Sequence, residues 1–246
     1  MKFSVPSRPA LIGLLLAAAT QAEAGSFRDT FTQDQDVAFF KIASSGSPLS
    51  FRSHGYAGGT MDDATSVAAG GFDPLLTLWD ATGHLIASLE PSGYLNDDGD
   101  YDANGNLISA ADCTLAPSDP GTGLCLDSLF SGTLAAGTYW LALTESNNFG
   151  PDYLGNNFAW DNATGNPSAD TFGCPNSQPF CDYRGNVRSG QWALDILGAD
   201  TIQTPTRQDI ATEFPPLTAQ LPEPGTLALL GLGLLGMLGR RGDGPL

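Results

Sequence analysis

Asp73-Pro74-Leu75-Leu76-Thr77-Leu78-Trp79-Asp80 runs into Ala81-Thr82-Gly83, and His84–Leu89 runs back. A short apolar run, a polar turn ending in Gly and a return segment are the marks of a β-hairpin. Pro74 stands at the first position of its strand, where a missing N–H donor is tolerated. Further along, Ser128–Leu134 and Thr138–Thr144 flank Ala135-Ala136-Gly137 and predict a second strand pair. In the second of these strands Tyr139, Leu141 and Leu143 share one face, and Trp140 and Ala142 the other. Bulky residues on both faces predict a strand covered on both sides, inside a sandwich.

Working outward, strands are expected at Phe27–Thr32, Val37–Ile42, Leu49–Ser53 and Gln191–Leu197. Gly- and Ala-rich His54–Gly71 reads as a loop, and Glu90–Asp127 and Asn147–Gly190 as long irregular insertions. Long helical periodicity is missing from residues 25–221. The fold class predicted is all-β: a jelly-roll-like β-sandwich with long irregular loops, plus an N-terminal signal helix and a short C-terminal apolar helix.

Gly71-Phe72-Asp73-Pro74-Leu75-Leu76-Thr77-Leu78-Trp79-Asp80-Ala81-Thr82-Gly83, Asn96-Asp97-Asp98 and Leu134-Ala135-Ala136-Gly137-Thr138-Tyr139-Trp140-Leu141 follow one another in an order that resembles the bacterial pre-peptidase C-terminal domain family. The resemblance spans residues 27–198 and implies a β-sandwich that accompanies secreted proteins as a non-catalytic module. The two cysteine-bearing insertions depart from the short family pattern.

The ends read as address labels. Lys2 and Arg8, the apolar run Ala10–Ala19 and the small-residue site Ala22-Glu23-Ala24 have the order of a secretory signal peptide. At the other end Pro222-Glu223-Pro224 precedes the apolar stretch Gly225–Gly239 and the basic pair Arg240-Arg241. That arrangement resembles the PEP-CTERM sorting signal, with Leu221 where the family usually has Val. The resemblance implies a precursor held in the inner membrane, an exosortase-type protease that removes the tail, and a mature protein at the cell surface or in its exopolysaccharide. The apolar span of about 15 residues would reach about 22 Å as a helix, short of the ~30 Å hydrocarbon core, which suits temporary retention. The domains predicted are therefore a signal peptide at 1–24, the sandwich at 25–200, a Pro- and Thr-rich extended linker at 201–221 and the sorting tail at 222–246.

The formal charge is −17, and removal of Lys2, Arg8 and Glu23 with the leader takes it to near −18. A field of that sign repels nucleic acid and anionic surfaces and attracts cations. Cys113, Cys125, Cys174 and Cys181 make an even number in an exported chain, which predicts disulfides. Three connectivities exist. Sequence proximity favours Cys113–Cys125 and Cys174–Cys181.

The segment Asp98-Gly99-Asp100-Tyr101-Asp102-Ala103-Asn104-Gly105-Asn106-Leu107 carries the strongest chemical pattern. Counted from Asp100, oxygen-bearing side chains fall at positions 1, 3 and 5, Gly at 6 and the Asn106 carbonyl at 7. This is the first half of a calcium loop, in which alternate residues converge on one ion. The bidentate Glu is absent, because position 12 is Ala111. Asp112, Asp98 or Asp97 would complete the shell. Asp98, Asp100, Asp102, Asn104 and Asn106 are the candidate ligands. The competing reading is a plain turn at Asn104-Gly105. Asp62, Asp63 and Asp73 are weaker metal candidates.

Catalysis has little support. The chain has no G-x-S-x-G, no H-E-x-x-H and no phosphate loop, and His54 and His84 sit apart beside turns. Trp79 and Trp140 read as core residues. Trp160, among Asn156, Asn157 and Asn162, is a candidate sugar-stacking ring. The function expected is an exported, non-enzymatic surface or exopolysaccharide-associated protein that binds calcium. A carbohydrate-binding module and a secreted polysaccharide hydrolase are the alternatives.

Overall fold

The computed structural model describes residues 23–86, 94–95, 117–175 and 178–217. The strands are β1 (Glu23–Thr30), β2 (Ala38–Ser44), β3 (Pro48–Ser53), β4 (Gly59–Thr60), β5 (Ser66–Val67), β6 (Pro74–Trp79), β7 (Tyr94–Leu95), β8 (Leu129–Thr133), β9 (Gly137–Glu145), β10 (Gln191–Ala199) and β11 (Thr201–Gln203). Two short helices join them, α1 (Pro167–Phe172) and α2 (Arg207–Glu213). One sheet has the order β1-β10-β3-β8, the other β11-β2-β9-β6-β7, and β4 and β5 form a small ribbon. Every pairing between these strands is antiparallel. The expected all-β class is therefore present.

The two larger sheets stack through a shared core. Phe40 and Ile42 of β2, Leu76 and Leu78 of β6 and Leu141 and Leu143 of β9 pack against Leu49 and Phe51 of β3 and Leu194 and Ile196 of β10. The second face of the five-stranded sheet is buried as well. Phe39, Trp79, Trp140 and Ala142 on that face meet Leu154 and Phe158 from a loop and Ile210 and Phe214 from the chain end. Two-sided cover explains why β6 is buried at every residue and why Tyr139, Leu141 and Leu143 belong to one cluster while Trp140 and Ala142 belong to the other.

The strand boundaries shift for local reasons. β1 stops at Thr30 rather than Thr32, because Asp36 Oδ2 accepts from the Thr32 N–H, the Thr32 hydroxyl and the Gln33 N–H and turns the chain. The turn after β6 forms as predicted. Asp80 Oδ1 accepts from the N–H groups of Thr82 and His84 and from the Thr82 hydroxyl, and Gly83 takes φ +80°. Its return arm is a pair of bridges in the described residues: Leu85 pairs with Trp79, but its N–H goes to Asp152 O. Residues 87–89 of that arm lie outside the described residues. His54–Gly71, read as loop, contains the β4–β5 ribbon.

The expected extended linker is corrected over residues 201–217. Thr201–Gln203 adds to β2 as an edge strand, and Arg207–Glu213 is helical. Thr206 and Asp209 form a reciprocal capping box that starts this helix in a Pro- and Thr-rich stretch. Ile210 and Phe214 then bury themselves on Trp140, and Lys41 of β2 pairs with Glu213 at 2.8 Å. Hydrophobic burial overrides the extended preference of the local composition. The signal segment and the apolar tail lie outside the described residues, and no helix among the described residues is long and apolar enough to cross a membrane.

Candidate functional site

The outer face of the four-stranded sheet carries a buried polar network. In β10, Leu194 and Ile196 point into the core, so the alternating Asp195 stands on the opposite face. Loop 54–65 folds over it and leaves Asp195 only 4% exposed. Asp195 Oδ1 accepts from the Ser26 hydroxyl at 2.6 Å, and Oδ2 lies 2.8 Å from His54 Nε2 and accepts from the Asp62 N–H at 3.0 Å. The carboxylate stands between the hydroxyl and the imidazole. In a nucleophilic triad the imidazole stands in the middle, so that it takes the hydroxyl proton. The Ser26–Asp195–His54 order instead ties three backbone segments together.

Beside it, Asp127 accepts from the Ser53 hydroxyl at 2.8 Å and from the N–H groups of Tyr56 and Ala57 at 3.1 and 2.8 Å. Burial pushes its carboxyl above the usual carboxylate range in spite of these donors. Next in the chain of contacts is Arg188. Its Nε donates to Gly71 O at 2.9 Å, and its Nη2 to Tyr56 O at 2.9 Å and Asp119 Oδ2 at 3.2 Å. Burial acts to raise the Asp119 carboxyl. The Arg188 guanidinium and the Thr122 N–H and hydroxyl outweigh it and hold the group below its ordinary value. The Tyr56 hydroxyl donates to Asp182 Oδ2 at 2.7 Å, and burial together with that carboxylate raises the phenol above its ordinary range.

A third buried carboxylate anchors the second insertion. Asp34 is fully buried and accepts from the N–H and hydroxyl of Ser168 and from the Phe180 N–H. Burial raises its carboxyl against those donors. Cys174 and Cys181 are bonded in this insertion with Cα atoms 6.0 Å apart, and Cys181 N donates to Ser168 Oγ. Cys125 is also in a disulfide. Cys113 lies outside the described residues.

The residues singled out from sequence fall in different places. Asp98, Asp100, Asp102, Asn104 and Asn106 lie outside the described residues. Asp63 is exposed and paired with Arg28 at 3.1 Å, while Asp73 is buried beside β6. Among the described residues no group of three or more His, Cys, Asp or Glu side chains is placed to hold a metal. His84 packs near the Tyr153 ring, whereas His54 meets Asp195. Trp79 and Trp140 are core residues. Trp160 is half-buried, and its backbone N–H donates to Asn148 Oδ1. Asp127, Asp182, Arg188 and Asp195 were not legible as partners of Tyr56, Asp119 and His54, because 69 to 141 residues separate the members of each pair.

The comparison with known families falls on the far end of the chain. Residues 220–242 match the PEP-CTERM protein-sorting motif. They contain Pro222, Glu223, Pro224, Arg240 and Arg241, the residues read as the sorting signal. A PEP-CTERM tail marks an exported, cell-surface protein processed by an exosortase-type protease. No curated protein matches the chain.

Proposed function

We propose that the chain is a non-enzymatic surface protein whose sandwich, supported by calcium, is delivered to the exopolysaccharide once its tail has been removed. The PEP-CTERM match at 220–242 carries the delivery half of this reading. Before cleavage the tail holds the precursor briefly in the inner membrane. The resemblance of the sandwich to the pre-peptidase C-terminal family, with its jelly-roll-like path, supports a module without catalysis. So does the Ser26–Asp195–His54 order, which spends the carboxylate on both neighbours.

Calcium rests on the Asp100–Asn106 pattern, whose alternating Asp and Asn side chains suit a hard cation with oxygen ligands.

Fractionation of cells expressing the whole chain tests delivery. The unaltered protein is expected outside the cell in a shortened form, and Glu223→Ala is expected to leave full-length precursor in the membrane fraction. Equal release of both proteins would overturn the sorting reading. Calcium titration with thermal melting tests the loop: a rise in melting temperature, lost in the double variant Asp100→Ala with Asp102→Ala, is expected. No shift at millimolar calcium would reduce the loop to a turn.

A further inference from the structure

The chain leaves the sandwich close to the sorting signal. Residues 201–217 belong to the fold: Thr201–Gln203 pairs with β2, Arg207 reaches Asp161 at 2.7 Å, Lys41 reaches Glu213 at 2.8 Å, and Phe214 packs on Trp140 and Tyr153. Phe214 lies so close to the loop after Tyr153 that a Cβ at Gly155 would collide with its carbonyl oxygen. The Leu217 N–H donates to Asn156 Oδ1 at 3.3 Å. The matched motif begins at residue 220, and Pro222 follows Leu217 by five residues. Five residues span at most about 18 Å. That is less than the ~30 Å diameter of a small domain. A protease that holds Pro222-Glu223-Pro224 therefore meets the sandwich itself.

Two arrangements satisfy this distance. Either residues 204–217 peel off and lengthen the tether, or the protease takes the sandwich with that segment in place. Peeling uncovers Ile210 and Phe214 together with the faces of Phe39 and Trp140 beneath them. Exposure of two large apolar side chains alone disfavours the open form roughly a hundredfold or more. The intact exit face is suited to contact. Leu217 is 63% exposed and, with Phe149 and Val187, is one of the exposed large apolar side chains among the described residues. Pro215 and Pro216 beside it are exposed as well. No charged residue occurs from 214 to 222, in a chain whose formal charge is −17. The centres of protein interfaces are depleted of charge in the same way.

We propose that this exit face, Pro215-Pro216-Leu217 with Asn156 beside it, is a docking surface for the exosortase-type protease that removes the tail. The protease then reads the folded domain as well as the motif. Tail removal follows folding, because the surface is complete only when Phe214 has packed. The proposal deepens the sorting reading and rests on it.

Pulse labelling of the whole chain in cells that carry out the tail removal tests it, with the rate of shortening as the readout. Leu217→Asp is expected to slow shortening about tenfold, the loss that follows when one apolar side chain is no longer buried in a contact. Asn156→Glu is expected to slow it as well. Asn156 lies 61 residues before Leu217 and cannot enter the protease as part of the tail. Both positions are exposed, so the purified variants are expected to melt with the unaltered protein. Eight prolines inserted between Thr218 and Ala219 leave the motif intact and hold the sandwich off by about 25 Å. This spacer is expected to slow shortening as Leu217→Asp does, and Leu217→Asp is expected to add nothing to it. Faster shortening with the spacer would show that the sandwich obstructs the protease and would overturn the proposal. Unchanged rates in all three variants, or slowing by Leu217→Asp alone, would overturn it too. Glu223→Ala separates the two readings. If it is shortened normally, the sorting reading fails. If it is blocked while the three other variants are shortened normally, the docking face alone fails.

Discussion

The Arg188 guanidinium lies 3.8 Å from the centre of the Tyr56 ring while the same group reaches Asp119 at 3.2 Å. Both charged side chains are about 95% buried, so removal of one leaves the other inside the protein without its counter-charge. Arg188→Ala is expected to cost about 3–5 kcal/mol in chemical denaturation. Arg188→Lys is expected to recover only part of this, because an ammonium cannot serve Gly71 O, Tyr56 O and Asp119 together in the geometry of the fork. Equal stability of the lysine variant and the unaltered protein would show that the planar fork is dispensable.

Asp119 sets an acid limit. Its folded carboxyl lies below the ordinary 3.8, so the stability it supplies is present above that value and is lost as pH falls through the lower, folded one. The melting temperature should therefore drop as pH descends below about 4. Asp119→Asn should be less stable at neutral pH and should flatten this part of the profile. Parallel curves for the two proteins would exclude Asp119 as the source.

The Cys174–Cys181 bond closes a short loop and should contribute about 2–3 kcal/mol through the unfolded state. Replacement of both cysteines by Ala is expected to lower stability by that amount. The fold of the insertion should persist, because Asp34 still holds Ser168 and Phe180. Protease sensitivity confined to residues around 165–185 is the measurable sign, read by mass spectrometry of the first cleavage products.

Phe214 packs edge-on against both Trp140 and Tyr153. Phe214→Ala should cost about 3 kcal/mol by uncovering the outer face of the five-stranded sheet. Truncation after Gln203 should have a larger effect, visible as increased binding of a hydrophobic dye. A tether without packing would show neither change.

Much of the sandwich was readable from side-chain alternation. Trp140 and Ala142 against Tyr139, Leu141 and Leu143 announced a strand covered on both sides, and Asp80-Ala81-Thr82-Gly83 announced the turn. What covers the outer face was not readable, since Thr206–Phe214 has the composition of a linker. Only the Thr206/Asp209 spacing, a capping-box signature, could have revealed the helix. The polar network is a product of tertiary approach. Asp195 is one acidic residue among many until β10 places it between Ser26 and His54.

The buried setting of Arg188 belongs to a wider economy of cations. From residue 25 onward Lys41 is the sole lysine, and no Lys or Arg occurs from residue 53 to residue 183. Arg28, Lys41 and Arg52 sit in strands, and Arg188 is enclosed. Extracellular proteases that cut after basic residues thus find no site across residues 53–183, and attack of that class is confined to the few basic positions outside that span, with exposed Arg184 in the turn after Cys181 the foremost.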